Sequence, residues 1–148
     1  MERGVSKGPF VAVFLFLFGA YLLFSHLAFV LTGSVELSVC IVRSPGNLER
    51  GDVAFFRDGQ IKKSGAIVKY VGCLPGEEVR ISAEGAYCNE KIMTSGRSEK
   101  KIGEIVSEEY RLGPNEYFLY GTHRNSFDSR YVGPINGESI FRKGVACF

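Results

Sequence analysis

The sequence predicts a mostly β protein carried on one N-terminal transmembrane helix. Three observations predict it. Residues 9–31 hold no Asp, Glu, Lys or Arg. Short β-branched and aromatic runs follow, separated by Gly, Pro, Asn and Asp turn signals. No stretch beyond Leu31 repeats apolar residues at a helical period with caps at its ends.

A helix over residues 9–31 would rise roughly 34 Å, enough for a hydrocarbon core of about 30 Å. The competing reading is a cleaved signal peptide. The apolar part of such a peptide is about 7–15 residues long and ends in a small-x-small site, and neither feature is present. Residues 1–8 carry Arg3 and Lys7 against Glu2. This basic flank stays cytoplasmic and sends residues 33–148 across the membrane as one domain. The localisation expected is a bacterial inner membrane, single-pass, with the domain on the extracytoplasmic side. Ser25 and His26 fall inside the apolar run and receive no role.

Beyond the anchor, strands are expected at residues 34–42, 52–56, 66–74, 78–83, 85–92 and 116–121. Residues 93–110 read as a polar excursion between strands. The segment nearest to a helix, residues 97–112, is weakened by Gly103. Only Thr32 and Gly33 separate the apolar run from the first of these strands, so residues near Ser34 work at the membrane surface.

Eighteen basic side chains against 16 acidic ones give no general attraction for nucleic acid. The short basic run at residues 96–101 is flanked by Glu104, Glu108 and Glu109 and reads as a solvated loop. Cys40, Cys73, Cys88 and Cys147 show no CxxC spacing, which argues against a zinc knuckle or a redox motif. Outside the cytoplasm disulfides are permitted; Cys73 and Cys88 flank a hairpin and form the preferred pair. The alternative is four small buried thiols. Without metal-ligand spacing, a phosphate-binding glycine loop or a dinucleotide motif, no cofactor and no metal are expected.

Chemistry needs a nucleophile and a base. A Ser-His-Asp triad would depend on His123, which sits beside Arg124, whose charge disfavours an imidazolium. A Ser-Lys dyad instead needs a lysine whose pKa is depressed by burial. Lys69, between Ile67, Val68, Tyr70 and Val71, fits that requirement; its bland reading is a lysine on the solvent face of an edge strand. Lys62, Lys63, Lys100 and Lys101 lie in polar runs and read as solvated.

The stretch KYVGCLPGEEV, residues 69–79, resembles the lysine box of type I signal peptidases. NSFDSRYVGPI, residues 125–135, resembles the last box of that family, Asn-Ser-x-Asp-Ser-Arg-Tyr-x-Gly. The order of anchor, serine, lysine box and Ser-Asp-Arg box also fits over nearly the whole chain. The Phe-Asp-Ser-Arg-Tyr-x-Gly-Pro wording and the small size are most similar to the conjugative-transfer branch, which matures pilin subunits. The chain departs from the family at the serine box, where LTGSVELSVC lacks the proline that follows the nucleophile.

The resemblance implies a signal-peptidase-like β domain and a membrane-anchored serine endopeptidase acting on precursor leader peptides. It implies Ser34 as nucleophile, with Ser38 as the competing serine, and Lys69 as general base. The Ser34 backbone N–H and the Thr32 hydroxyl would form the oxyanion hole. Ser126 would orient the lysine amine, and an Asp128–Arg130 ion pair would lock the last box against the lysine strand. The partners implied are a precursor peptide and the lipid bilayer. The nearest alternative is a housekeeping signal peptidase of broad specificity. The alternative of another class is a non-catalytic anchored assembly protein that kept the fold.

Overall fold

The structure is a computed structural model that describes residues 8–29, 35, 39–57, 59, 65–82, 84–95, 108–123 and 126–148. Helix α1 (Gly8–Ser25) is apolar around its whole circumference, with Phe10, Val11, Phe14, Phe16 and Phe18 among its exposed side chains. Its 18 residues rise about 27 Å, short of a hydrocarbon core of about 30 Å. Among the described residues no helix is long and apolar enough to cross a membrane.

The helix was expected to continue to residue 31, and the structure corrects this. Ser25 Oγ donates back to the Leu22 carbonyl at 2.8 Å, His26 forms a turn, and β1 (Leu27–Phe29) follows at once. Strand pairing ends the helix. The His26 carbonyl accepts from the Val42 amide at 2.7 Å, and β1 pairs antiparallel with β2 (Val39–Arg43). Arg142 Nη1 donates to the Ser25 carbonyl at 3.1 Å, placing a cation where the last helical carbonyls point.

The mostly β expectation holds. A seven-stranded sheet runs in the order β1-β2-β11-β3-β4-β9-β10. Its further members are β3 (Val53–Phe56), β4 (Ile67–Cys73), β9 (Glu116–Tyr120), β10 (Ile135–Asn136) and β11 (Ile140–Cys147). A four-stranded sheet, ordered β7-β6-β5-β8, contains β5 (Glu78–Ile81), β6 (Gly85–Cys88), β7 (Lys91–Ser95) and β8 (Glu108–Arg111). Every pairing among the described strands is antiparallel.

Residues 85–92, expected as one strand, are a hairpin. Asn89 and Glu90 adopt φ of 45° and 67°, the left-handed pair that a tight two-residue hairpin turn requires. Strand β8 and the end of β7 occupy parts of the segment expected to be a polar excursion.

Side-chain alternation divides the core around β3. Val53 and Phe55 pack with Val35, Cys40, Val42 and Val68 on one face. Ala54 and Phe56 pack with Leu48, Val71, Leu119, Ile135 and Ile140 on the other. Burial on both faces explains why β3 reads as an unbroken apolar run. A third cluster, including Val79, Ile81, Ala86 and Phe118, lies at the small sheet.

All four cysteines are paired. Cys73–Cys88 joins β4 to β6 as expected, and Cys40–Cys147 fastens β2 to β11. The sequence separations are 15 and 107 residues, for which chain-entropy arguments give about 3 and about 5 kcal/mol. Thermal melts of the Cys40→Ser/Cys147→Ser and Cys73→Ser/Cys88→Ser chains should both fall below wild type, the first by more. Equal melting of all three would contradict a structural role for the bonds.

Candidate active site

Lys69 stands opposite Ala54 in the β3–β4 ladder and is 3 % exposed. Its sheet face is that of Ala54 and Val71, which belong to the same apolar cluster. The solvated edge-strand reading is therefore excluded. Among the described residues the amine forms no hydrogen bond or ion pair. Burial lowers its pKa from 10.5 to about 8; the Asp128 charge opposes that shift and the Arg130 charge adds to it. About half of the molecules carry a neutral lysine at a pH equal to that value.

The backbone beside Lys69 is paired unevenly. The ladder to β9 begins at Tyr70↔Tyr120, whereas the ladder to β3 covers Ile67 to Tyr70. Among the described strands, Ile67, Val68 and Lys69 are thus paired on one side only. A segment with unused backbone donors and acceptors is where an extended peptide can add as a strand.

Asp128 and Arg130 form the expected buried pair, with side-chain exposures of 0 % and 2 %. Arg130 Nε donates to Asp128 Oδ1 at 2.8 Å and Nη2 to Oδ2 at 2.7 Å, a two-pronged geometry that arginine provides and lysine does not. Burial pulls the guanidinium pKa down, but the hydrogen bond and charge of Asp128 outweigh it and the net shift is upward. Asp128 also accepts from the Gly121 amide at 2.8 Å. Arg130 Nη2 reaches the Gly121 and His123 carbonyls, each at 3.2 Å.

The pair begins a one-turn helix, α2 (Ser129–Val132), which Asp128 caps through the Arg130 amide. Ser129 adds a contact that sequence reasoning missed: its Oγ accepts from the Leu119 amide at 2.9 Å. The last box is therefore bolted to β9, which lies beside the lysine strand.

Ser126 departs from expectation. It is buried, its amide donates to the His123 carbonyl at 2.9 Å, and its Oγ has no hydrogen-bond partner among the described residues. The expected bond to the Lys69 amine is not formed. Asp128 and Arg130 fix the turn around Gly121 and His123, and the Ser126 hydroxyl is left over.

Thr32, Ser34 and Ser38 lie outside the described residues. Val35, which follows Ser34, is buried in one cluster with Val68, which precedes Lys69. Sequence neighbours of the two expected dyad members therefore share one core.

A second buried lysine also escaped the sequence reading. Lys143 Nζ lies 2.5 Å from Asp52 Oδ2 and donates to the Asn47 carbonyl at 3.1 Å. A lysine beside Val145 and Ala146 resembles the Lys69 pattern, but Gly144 and the adjacent Arg142 obscure the strand. Lys143 is thus engaged with a carboxylate and a backbone carbonyl, whereas Lys69 has no hydrogen-bond partner among the described residues. Cys73, Cys88 and Glu77 cluster closely, but the two sulfurs are joined to each other and are not free to ligate a metal.

Residues 7–148 match the family described as signal peptidase, peptidase S26. The chain belongs to that family. A probable signal peptidase I-2 of Synechocystis sp. is 30% identical over 108 residues, covering 68% of this chain and 48% of the relative. The chain thus spans about half the length of the curated relative it matches. A crystal structure of a signal peptidase I from Enterococcus faecalis superposes with a TM-score of 0.44 at 21% identity, over 64% of this chain and 93% of that one. Within this signal peptidase family chain, then, a desolvated lysine, a half-paired strand and a buried Asp-Arg lock converge around the start of β4.

Proposed function

We propose that this chain is a membrane-anchored serine endopeptidase that removes leader peptides from exported precursors with a Ser34–Lys69 dyad. The observation that carries the proposal is Lys69: an amine buried in an apolar cluster, without a described partner, whose pKa burial brings down to about 8. Such a lysine is a base near neutral pH.

Neutral Lys69 takes the proton from Ser34 Oγ as the oxygen attacks the scissile carbonyl. The Ser34 amide and the Thr32 hydroxyl hold the oxyanion. Collapse breaks the C–N bond, and protonated Lys69 returns its proton to the leaving amine. Water, deprotonated by the same lysine, then hydrolyses the acyl-enzyme. An amine in place of water would give transpeptidation and cyclise a pilin.

The substrate is an extended segment that adds to Ile67–Lys69 and presents small residues. The wording at residues 127–134 supports a pilin or another conjugative-transfer precursor. Helix α1, apolar on every side, resides in the bacterial inner membrane, since a helix without a polar face needs an apolar surrounding. Two disulfides support an oxidising, extracytoplasmic side for the β domain.

The test is the pH dependence of leader-peptide cleavage by the full chain. Because the neutral amine is the active form, kcat/KM should rise about tenfold per pH unit below pH 8 and level off above it. A profile flat from pH 6 to pH 9 would rule Lys69 out as the base.

A further inference from the structure

Strand β3 meets the lysine strand through an irregular start. The Gly51 amide donates to the Val71 carbonyl at 2.8 Å, and the Val71 amide donates to the Asp52 carbonyl at 2.8 Å. Gly51 has a φ of 90°. Two residues facing one, the first a glycine in the left-handed region, form a β-bulge. The Asp52 amide returns to the Glu49 carbonyl at 3.1 Å, so residues 49–52 make the turn that leads into it. Bulges bend a strand and re-aim side chains, and they recur beside active sites. Val71 lies two residues beyond Lys69 and on the same sheet face.

One pair of side chains holds the bulge. Asp52 Oδ2 accepts from the Glu49 amide at 2.6 Å and lies 2.5 Å from Lys143 Nζ. Lys143 also donates to the Asn47 carbonyl at 3.1 Å, so it gathers both ends of the 47–52 turn. Its side chain is 7 % exposed, and a buried ion pair of this kind is a costly way to fill space. Lys143 stands opposite Ala54, and Ala54 opposite Lys69. The two lysines therefore share a face, about 10 Å apart across β3. A second ion pair, Arg50–Glu77, joins the same turn to the one that follows β4, but its partly exposed side chains contribute less.

We infer that Asp52 and Lys143 are positioning residues for Lys69: they lock the Gly51–Asp52 bulge, and the bulge holds β4 so that the lysine amine stays withdrawn from water. The inference rests on the reading of Lys69 as the general base. Burial is the largest cause of the lowered Lys69 pKa, so a released bulge that wets the amine moves that pKa up toward 10.5 and the acid limb of activity with it. The charged groups on this face are Asp128 and Arg130 of the last box, Asp52 of the bulge, Lys143 of β11 and Arg43 of β2. From β9 come Leu119 and Tyr117. Loss of charge alone would act with opposite signs: Asp52→Asn leaves an extra cation and lowers the Lys69 pKa, whereas Lys143→Met leaves an extra anion and raises it. Loss of positioning raises it in both.

Purified full chains carrying Asp52→Asn, Asp52→Glu, Lys143→Met or Lys143→Arg are assayed for leader-peptide cleavage from pH 6 to pH 9.5, with folding verified by melting. The acid limb of kcat/KM is expected about one pH unit higher in Asp52→Asn and Lys143→Met, a roughly tenfold loss at pH 7 that shrinks as pH rises. Lys143→Arg keeps the ion pair and should keep the wild-type limb. If Asp52→Asn does not fold, Asp52→Glu carries the test: it keeps the charge but displaces the carboxylate by one carbon, and a smaller upward shift is expected. A downward shift in Asp52→Asn, or folded variants whose activity falls equally at every pH, overturns the positioning role. A wild-type profile without an acid limb near pH 8 instead removes the general-base reading, and this inference with it.

Discussion

Replacing Lys69 with methionine is expected to lower kcat/KM for leader-peptide cleavage by at least about a thousandfold, the scale of losing one member of a nucleophile–base pair. The same substitution should leave the fold intact and raise its stability. Lysine and methionine are both long and unbranched, so the site stays filled. The lysine titrates at about 8 in the folded chain against 10.5 when solvated. A folded pKa below the unfolded one means that the penalty for burying the charged form is fully present below pH 8. It is relieved as pH rises from 8 to 10.5. At pH 7 the apolar replacement escapes that penalty, a gain on the order of 1–3 kcal/mol. Denaturant melts beside activity assays check both halves. A methionine variant that cleaves normally would remove the dyad, and one that unfolds would mean that Lys69 serves the structure first.

Asp128→Asn and Arg130→Met should each destabilise the domain by about 3–5 kcal/mol, because each leaves one charge buried and unpaired. Melting should fall by roughly 10–20 °C for a domain of this size. The double variant should recover part of the loss, since the coupling is removed with both partners. The two single changes should also move the acid limb of activity in opposite directions. Asp128 holds the Lys69 pKa up and Arg130 holds it down, so the limb shifts to lower pH in Asp128→Asn and to higher pH in Arg130→Met. General loosening of the fold would not produce opposite signs. Two single variants that melt as wild type would show that the pair does not lock the loop.

What the sequence disclosed was local. A lone lysine among Ile67, Val68, Tyr70 and Val71 suits a buried strand and a solvated edge strand alike, and the likeness of residues 69–79 to the lysine box is what pointed to burial. The Asp128–Arg130 pair was legible through the likeness of residues 125–135 to the last box of the family. Features set by distant partners were not readable. Leu27, Ala28 and Phe29 suit a helix or a strand equally, and their pairing with residues 39–41 decided the matter. Strand β11 carries register shifts at Ile140/Arg142 and at Gly144/Ala146, which break the alternation that identifies a strand. Cys40 and Cys147 lie 107 positions apart, and spacing alone could not join them. Ser126 failed for a different reason: its identity predicts a donor, but the turn that holds it is fixed by its neighbours.

The central claim is that Ser34 and Lys69 act as one catalytic unit. Its most direct test is cleavage of a precursor peptide by purified full chains carrying Ser34→Ala or Ser38→Ala, assayed side by side at pH 8.5 with folding verified by melting. Loss of cleavage in Ser34→Ala, with Ser38→Ala near wild type, is the result predicted here. Full activity of the Ser34→Ala chain would contradict it.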